Sequence, residues 1–339
     1  MSHWSFAGLE KELDTEEKRS VFFKPSPGCA CVFSNALASV RVCSEITPMG
    51  VTNYEPRDWD VVQSLSPADF HAKCWEARGK KVLVDVRNYY ESRIGYFVDP
   101  HTGEGGVRPD VRRFGQWPQF VKHNISALQS QIDADLEKRL EDDDEGKEKG
   151  TQYLTYCTGG IRCEKGARFL AENLHGQHVG GTDSVCTLKG GIQAYLMWMD
   201  EEIKAGRKTA GESLFKGKNY VFDARGSTGL SEGLEGLPVS QCHICGKLED
   251  RLGKCRSRGC HLILVVCEDC EEGDVRCCPN CLELDRLTTE KRPICACEKE
   301  REKRLWGDRS VRLPRTQRKR GGKSSDIGSG INIQIKAID

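Results

Sequence analysis

The chain has no long apolar run. The aliphatic stretch Leu262 to Val266 is five residues, far short of the roughly 20 that a membrane-spanning helix needs. It also lacks an excess of either charge, with 51 basic and 51 acidic residues. Net charge therefore offers nucleic acid no general attraction, and any basic face must be local. The opening residues show no charged segment followed by an apolar one, so a secretory signal is not expected. The expectation is a chain in a reducing, soluble compartment: the cytoplasm, with an organelle left open. In such a compartment the eighteen cysteines read as thiols and metal ligands rather than disulfides. At 339 residues there is room for two or three modest domains.

The most informative stretch is YCTGGIRCEKG, residues 156–166. Gln152 to Tyr156 is a β-branched and aromatic run that predicts a strand. Ala167, Leu170, Ala171 and Leu174 fall at i, i+3, i+4 and i+7, the apolar stripe of a helix, and Gly176 supplies a stop. Cys157 thus sits between the end of a strand and the start of a helix, where unpaired N–H groups and the helix dipole favour an anion. That position lowers a thiol pKa. Gly159 and Gly160 let the backbone curl so that its N–H groups converge. The competing reading is a buried, inert cysteine. Phosphate-cradling cysteine loops carry five residues between cysteine and arginine, whereas only Thr158, Gly159, Gly160 and Ile161 separate Cys157 from Arg162 here. The tighter loop suits a smaller group such as a sulfur atom, and its C-x-x-G-x-R spacing resembles the active-site loop of the rhodanese family.

Around this loop the pattern alternates. Ser66-Pro67 caps a helix with Phe70, Cys74 and Trp75 on its buried side. Val82 to Val86 is an apolar run of the kind buried in a parallel sheet. Phe120 to Leu136 predicts a helix, Glu141 to Lys149 a solvated charged loop, and Val185 to Ile192 a last strand. Lys189-Gly190-Gly191 then turns into a helix over 194–205. The expected fold class is α/β, a small doubly wound parallel sheet, with its site beyond the carboxyl ends of the strands. Asp85, Arg87 and Glu91 follow one such end, and a carboxylate beside Arg162 would brace the loop. The plainer alternative for Glu91 is a surface salt bridge. In residues 1–50, Leu37 to Ile46 allows one strand, and Cys29, Cys31 and Cys43 show no ligand pattern.

From Cys242 to Cys297 there are eleven cysteines in 56 residues. Three C-x-x-C knuckles, 242/245, 267/270 and 278/281, stand with Cys255, Cys260 and His261 among them. Two knuckles complete a closed tetrahedral zinc site. The expected interleaved pairing sets Cys242 and Cys245 with Cys267 and Cys270, and Cys255 and Cys260 with Cys278 and Cys281. Cys277 or His261 are substitutes in the second set. Structural zinc, holding the module folded, is the expectation. Arg309 to Lys323 has seven basic residues and no acid. It reads as a disordered tail, with phosphate contact or a localisation signal as alternatives.

Three stretches together carry a closer resemblance: DVRNYYES from 85, YCTGGIRCEK from 156, and FKGKNYVFDAR from 215 followed by the cysteine array. They resemble the rhodanese-like tRNA uridine 5-hydroxylases over roughly residues 40–285. The resemblance implies a rhodanese-like α/β domain over 60–206, a linker over 207–240, a cysteine-rich zinc module over 241–298 and a basic tail over 299–339. It implies oxygen-dependent 5-hydroxylation of the wobble uridine, with tRNA as partner through its anticodon loop and molecular oxygen as co-substrate. Cys157 carries over as the essential cysteine, with Arg162 and Cys163 in its loop. Members begin with an acylphosphatase-like domain of about ninety residues; here a remnant over 1–50 is expected, recognisable around Arg41 to Gly50. Phosphate contacts are expected from Arg87, Arg112, Arg113, Lys165, Arg168 and the tail. The alternatives are a sulfurtransferase carrying a persulfide on Cys157 and a zinc-stabilised binding protein with a vestigial loop.

Overall fold

Strands β1 (Val62–Leu65), β2 (Lys80–Asp85), β4 (Thr151–Tyr156) and β5 (Ser184–Leu188) form one parallel sheet in the order β1-β5-β4-β2. The computed structural model describes residues 46–51, 54–76, 80–124, 150–175, 183–222, 225–231, 237–286 and 293–306. The expectations for residues 1–45, 141–149 and 309–323 lie outside them.

Both faces of the sheet are covered, as alternating side chains require. Val82, Val84, Tyr153 and Val185 point to one core, which they share with Trp117, Phe120, Ala167, Leu170, Ala171 and Leu174. Leu83, Leu154, Tyr156, Cys186 and Leu188 point to the other, shared with Phe70, Cys74, Ile192, Tyr195 and Leu196. The helices supplying these partners are α1 (Pro67–Trp75), α3 (Ile161–His175) and α4 (Gly191–Lys204), with the helical segment 117–124. This is the expected doubly wound arrangement.

Three expectations shift. Trp75, placed on the buried side of α1, is 46% exposed, and His71 is buried there instead. Phe120 to Leu136 begins earlier, at Trp117, and its residues 125–136 fall outside the described chain. The last strand stops at Leu188, because Gly190 (φ 72°) and Gly191 (φ 65°) adopt left-handed backbone and Ile192 already belongs to α4.

Beyond β2, helix α2 (Tyr89–Ile94) leads into β3 (Gly95–Phe97). Within the stretch read as a linker, β6 (Phe215–Gly217) pairs antiparallel with β3, and β7 (Asn219–Tyr220) pairs with β8 (Ser227–Thr228). The cysteine-rich region folds as an antiparallel pair, β9 (Leu252–Lys254) and β10 (Ile263–Val265), with α5 (Glu268–Glu271), α6 (Pro279–Asp285) and α7 (Ala296–Trp306). Its buried core takes in Tyr89 and Tyr90 of α2, and the Tyr89 hydroxyl donates to the Ile263 carbonyl at 2.5 Å. The cysteine-rich region and the parallel sheet fall within one compact unit, Ser44–Val221 with Ser227–Thr316.

Candidate active site and metal centres

Cys157 leaves the carboxyl end of β4 and is buried, 1% exposed. The loop crowns it: Gly159 and Ile161 are exposed, and Cys163 N–H closes back on Gly160 O at 3.0 Å. The β5–α4 turn holds the loop from the other side. Ile192 N–H donates to Cys157 O at 2.9 Å, and Gln193 N–H to Thr158 O at 3.0 Å. A Cβ on Gly191 would lie 2.4 Å from Cys157 O and 2.6 Å from Gly160 N. Only a glycine permits that approach, and its positive φ makes the same demand. Gly160, at φ 87°, bends the loop inward. An added Cβ at Gly159 would meet nothing within 4 Å, which marks the open side of the loop.

Burial alone would raise the Cys157 thiol. The Cys163 side chain, the Arg162 charge and the N–H groups of Cys163 and Arg162 oppose it and bring the thiol down to about 6. Burial and its neighbour Cys157 push Cys163 well above the ordinary thiol range. The two sulfurs therefore divide the roles, Cys157 as thiolate and Cys163 as the thiol that donates to it.

Of the three candidates after β2, Glu91 is the carboxylate that reaches the loop. Arg162 binds it with both terminal nitrogens, Nη1 to Oε1 at 2.7 Å and Nη2 to Oε2 at 2.6 Å. Thr158 joins them, donating to Glu91 Oε2 at 3.1 Å and accepting from Arg162 at 2.9 Å. The pair is buried, with side chains 8% and 0% exposed, so the surface-bridge reading fails. Burial opposes the Arg162 charge, but Glu91 and Cys157 hold it protonated. Asp85 and Arg87 instead bind each other at 2.7 to 3.1 Å, with Arg87 also on Gly95 O, wholly buried at the base of α2.

The basic residues expected to meet phosphate divide. Arg113 is exposed. Arg112 donates to Cys260 O and lies 3.6 Å from Glu298, linking the sheet to the cysteine-rich region. Arg168 donates to Trp59 O and Glu164 O and stacks 4.8 Å over the Trp59 ring. Lys165 reaches Tyr54 O at 3.5 Å. Arg87, being wholly buried, is no phosphate contact.

Among the described residues, three groups of four cysteines have sulfurs mutually within 4.8 Å. The first, Cys242, Cys245, Cys267 and Cys270, is the expected set. The second is Cys255, Cys260, Cys277 and Cys281, so Cys277 replaces Cys278. Cys277 lies just before the cap of α6 and Cys281 within that helix, and their sulfurs come to 3.2 Å, whereas Cys278 caps the start of α6 and faces a third set. His261 is exposed and belongs to none. No knuckle spacing points to the third set, Cys277, Cys278, Cys295 and Cys297; the Cys-x-Cys at 295–297 is its one sequence signal. The donors fit a metal. Four thiols converge in each set, none in a disulfide, and backbone N–H groups of Cys267 and Cys277 point at the Cys242 and Cys255 sulfurs, each at 3.4 Å.

The rhodanese-like domain profile matches residues 66–197, and the rhodanase C-terminal profile matches residues 216–282. Rhodanese-like domain-containing protein 6 of Arabidopsis thaliana is 31% identical over 72% of this chain and 35% of its own length. The tRNA uridine(34) hydroxylase of Leptospira interrogans is 33% identical over 68% of this chain and 51% of its own. That of Cytophaga hutchinsonii is 32% identical over 75% and 65%. The chain thus spans about a third to two thirds of the length of these relatives. Among the described residues, no helix is long and apolar enough to cross a membrane. The two profiles fall in tandem on the parallel sheet and the cysteine-rich region: the chain carries a rhodanese-like domain followed by a rhodanase C-terminal region, and across both it is similar to tRNA uridine(34) hydroxylases.

Proposed function

We propose that the protein hydroxylates carbon five of the wobble uridine of tRNA, with molecular oxygen as co-substrate and Cys157 as covalent catalyst. The observation that carries this reading is the buried loop that closes around Cys157, sets the Arg162 charge and N–H groups against the burial of its thiol and lowers it, and opens at Gly159. Carbon five of uracil does not react readily with oxygen while the ring is conjugated. Addition of the Cys157 thiolate to carbon six forms a C–S bond and leaves an enolate, electron-rich at carbon five. Oxygen is captured there. Loss of the carbon-five proton and departure of the thiolate then restore the ring. The second oxygen atom leaves as water, taking two electrons and two protons from an external reductant. Arg162, bound through both terminal nitrogens to Glu91, acts on the thiolate through its charge and keeps the loop closed. An anticodon base is unpaired and can be splayed into such a site without melting a duplex.

In this reading residues 60–206 do the chemistry and 241–298 support it. Cys242, Cys245, Cys267 and Cys270 in the first set, and Cys255, Cys260, Cys277 and Cys281 in the second, would hold structural zinc, which would supply folding energy rather than a catalytic position. Arg113 and the basic tail make phosphate contacts. The rhodanese-like match favours one second reading, a sulfurtransferase that uses the same thiolate to carry a persulfide. Nucleoside mass spectrometry of tRNA from cells lacking the gene separates the two. Wobble 5-hydroxyuridine should vanish, return with the wild-type chain and stay absent with Cys157→Ser. Unchanged 5-hydroxyuridine would return the protein to sulfur transfer.

A further inference from the structure

The second and third cysteine sets share one residue. Cys277 Sγ lies 3.7 Å from Cys260 and 3.2 Å from Cys281 in one set. In the other it lies 3.7 Å from Cys295, 3.2 Å from Cys297 and 4.0 Å from Cys278. Four sulfurs at about 2.3 Å around one tetrahedral ion stand roughly 3.8 Å apart, and these separations bracket that value. Two separate tetrahedral sites would need eight sulfurs. Among the described residues seven are gathered here: Cys255, Cys260, Cys277, Cys278, Cys281, Cys295 and Cys297.

We infer that Cys277 is a bridging thiolate between two divalent metal ions, the second of which is also held by Cys278, Cys295 and Cys297 and ties the amino end of α7 to the start of α6. On loading, the seven thiols release their protons and both ions reach four-coordination. The rhodanase C-terminal profile ends at residue 282, so Cys295 and Cys297 lie beyond it.

The consequence for the fold is local. Cys295 precedes α7 and Cys297 is its second residue. Helix α7 docks on the sheet side through Arg304 on Asp110 at 2.9 Å, Arg301 on the Asp110 carbonyl, and Leu305 in the same core as Trp117. The second ion therefore pins the amino end of a helix whose remaining turns lie against the sheet.

The test uses the full chain, purified reduced and without chelator. Native mass spectrometry should count three zinc ions per chain: two in the bridged pair and one in the set headed by Cys242. After exchange with cadmium-113, three resonances should appear, two of them split by coupling through the shared sulfur and the third unsplit. Cys295→Ser with Cys297→Ser should lower the count to two, collapse the splitting, and raise amide exchange in 296–306. The cadmium spectrum of the unmodified chain stands whether or not that variant folds. Two ions per chain, or three resonances without splitting, would overturn the bridge.

Discussion

At Cys157 and Cys163 one cluster runs two opposite pKa shifts, and the division rests on the contact between the two sulfurs. The Cys157 thiolate forms as pH rises through about 6, so activity should be lost below that point and level off above it. Cys163→Ala removes the foremost group opposing the burial of that thiolate. The acid limb should move upward, with activity near pH 6 falling about tenfold for each pH unit the limb moves and recovering at alkaline pH. A pH–rate profile checks this, and an unmoved limb would deny Cys163 any part in holding the thiolate. Glu91→Ala strands the Arg162 guanidinium in a buried site. Stability should fall by about 3–5 kcal/mol, read by denaturant unfolding, with labelling of Cys157 by iodoacetamide losing its midpoint near pH 6. The motif spacing made Cys157 and Arg162 legible, because it counts residues along one loop. It could not choose among Asp85, Arg87 and Glu91, which share a segment. The choice falls to α2, whose first turn carries Glu91 toward Arg162 while Asp85 and Arg87 close on each other.

Among the elements, the β5–α4 turn does what the sequence presented only as a Lys-Gly-Gly turn. Gly191 packs against Cys157 O, and Gly191→Ala puts a Cβ into backbone at 2.4 Å as well as a side chain on left-handed backbone. The loop must shift, and a displacement near 1 Å should cost roughly a hundredfold in activity. Thermal unfolding measured beside activity tells a local effect from a global one; a loss of activity no larger than the lost folded fraction would count against the turn. Apolar and β-branched runs made β2 and β4 legible and a 3.6-period stripe made α3 legible, since burial of a central parallel strand on both faces and of one helix face imposes them directly. The metal sets were legible only where C-x-x-C knuckles closed them. Sequence spacing offered Cys277 as a substitute in the second set but could not choose it over Cys278, nor see that α7 brings Cys295 and Cys297 back to it.

Across the whole molecule, the cysteine-rich region and the loop are joined through α2, because Tyr89 and Tyr90 belong to the region's core while Glu91 braces Arg162. No pattern in the sequence announced that contact, which joins residues 174 positions apart at Tyr89 and Ile263. Removing metal with a chelator should therefore unfold the cysteine-rich region and also raise amide exchange over 89–94. Exchange there that ignores the metal would separate the two. With no net charge to draw on, tRNA affinity should come from local basic groups, and deleting 309–323 should flatten its salt dependence. The decisive experiment on Cys157 as covalent catalyst combines reduced protein, unmodified tRNA, an excess of thiol reductant as electron donor and labelled oxygen gas, followed by digestion and mass spectrometry of the nucleosides. One labelled oxygen should appear on the wobble uridine with the wild-type chain and none with Cys157→Ser. Labelled oxygen undiminished by Cys157→Ser would contradict the covalent role, and no incorporation beside rapid formation of thiocyanate from thiosulfate and cyanide would contradict hydroxylation itself.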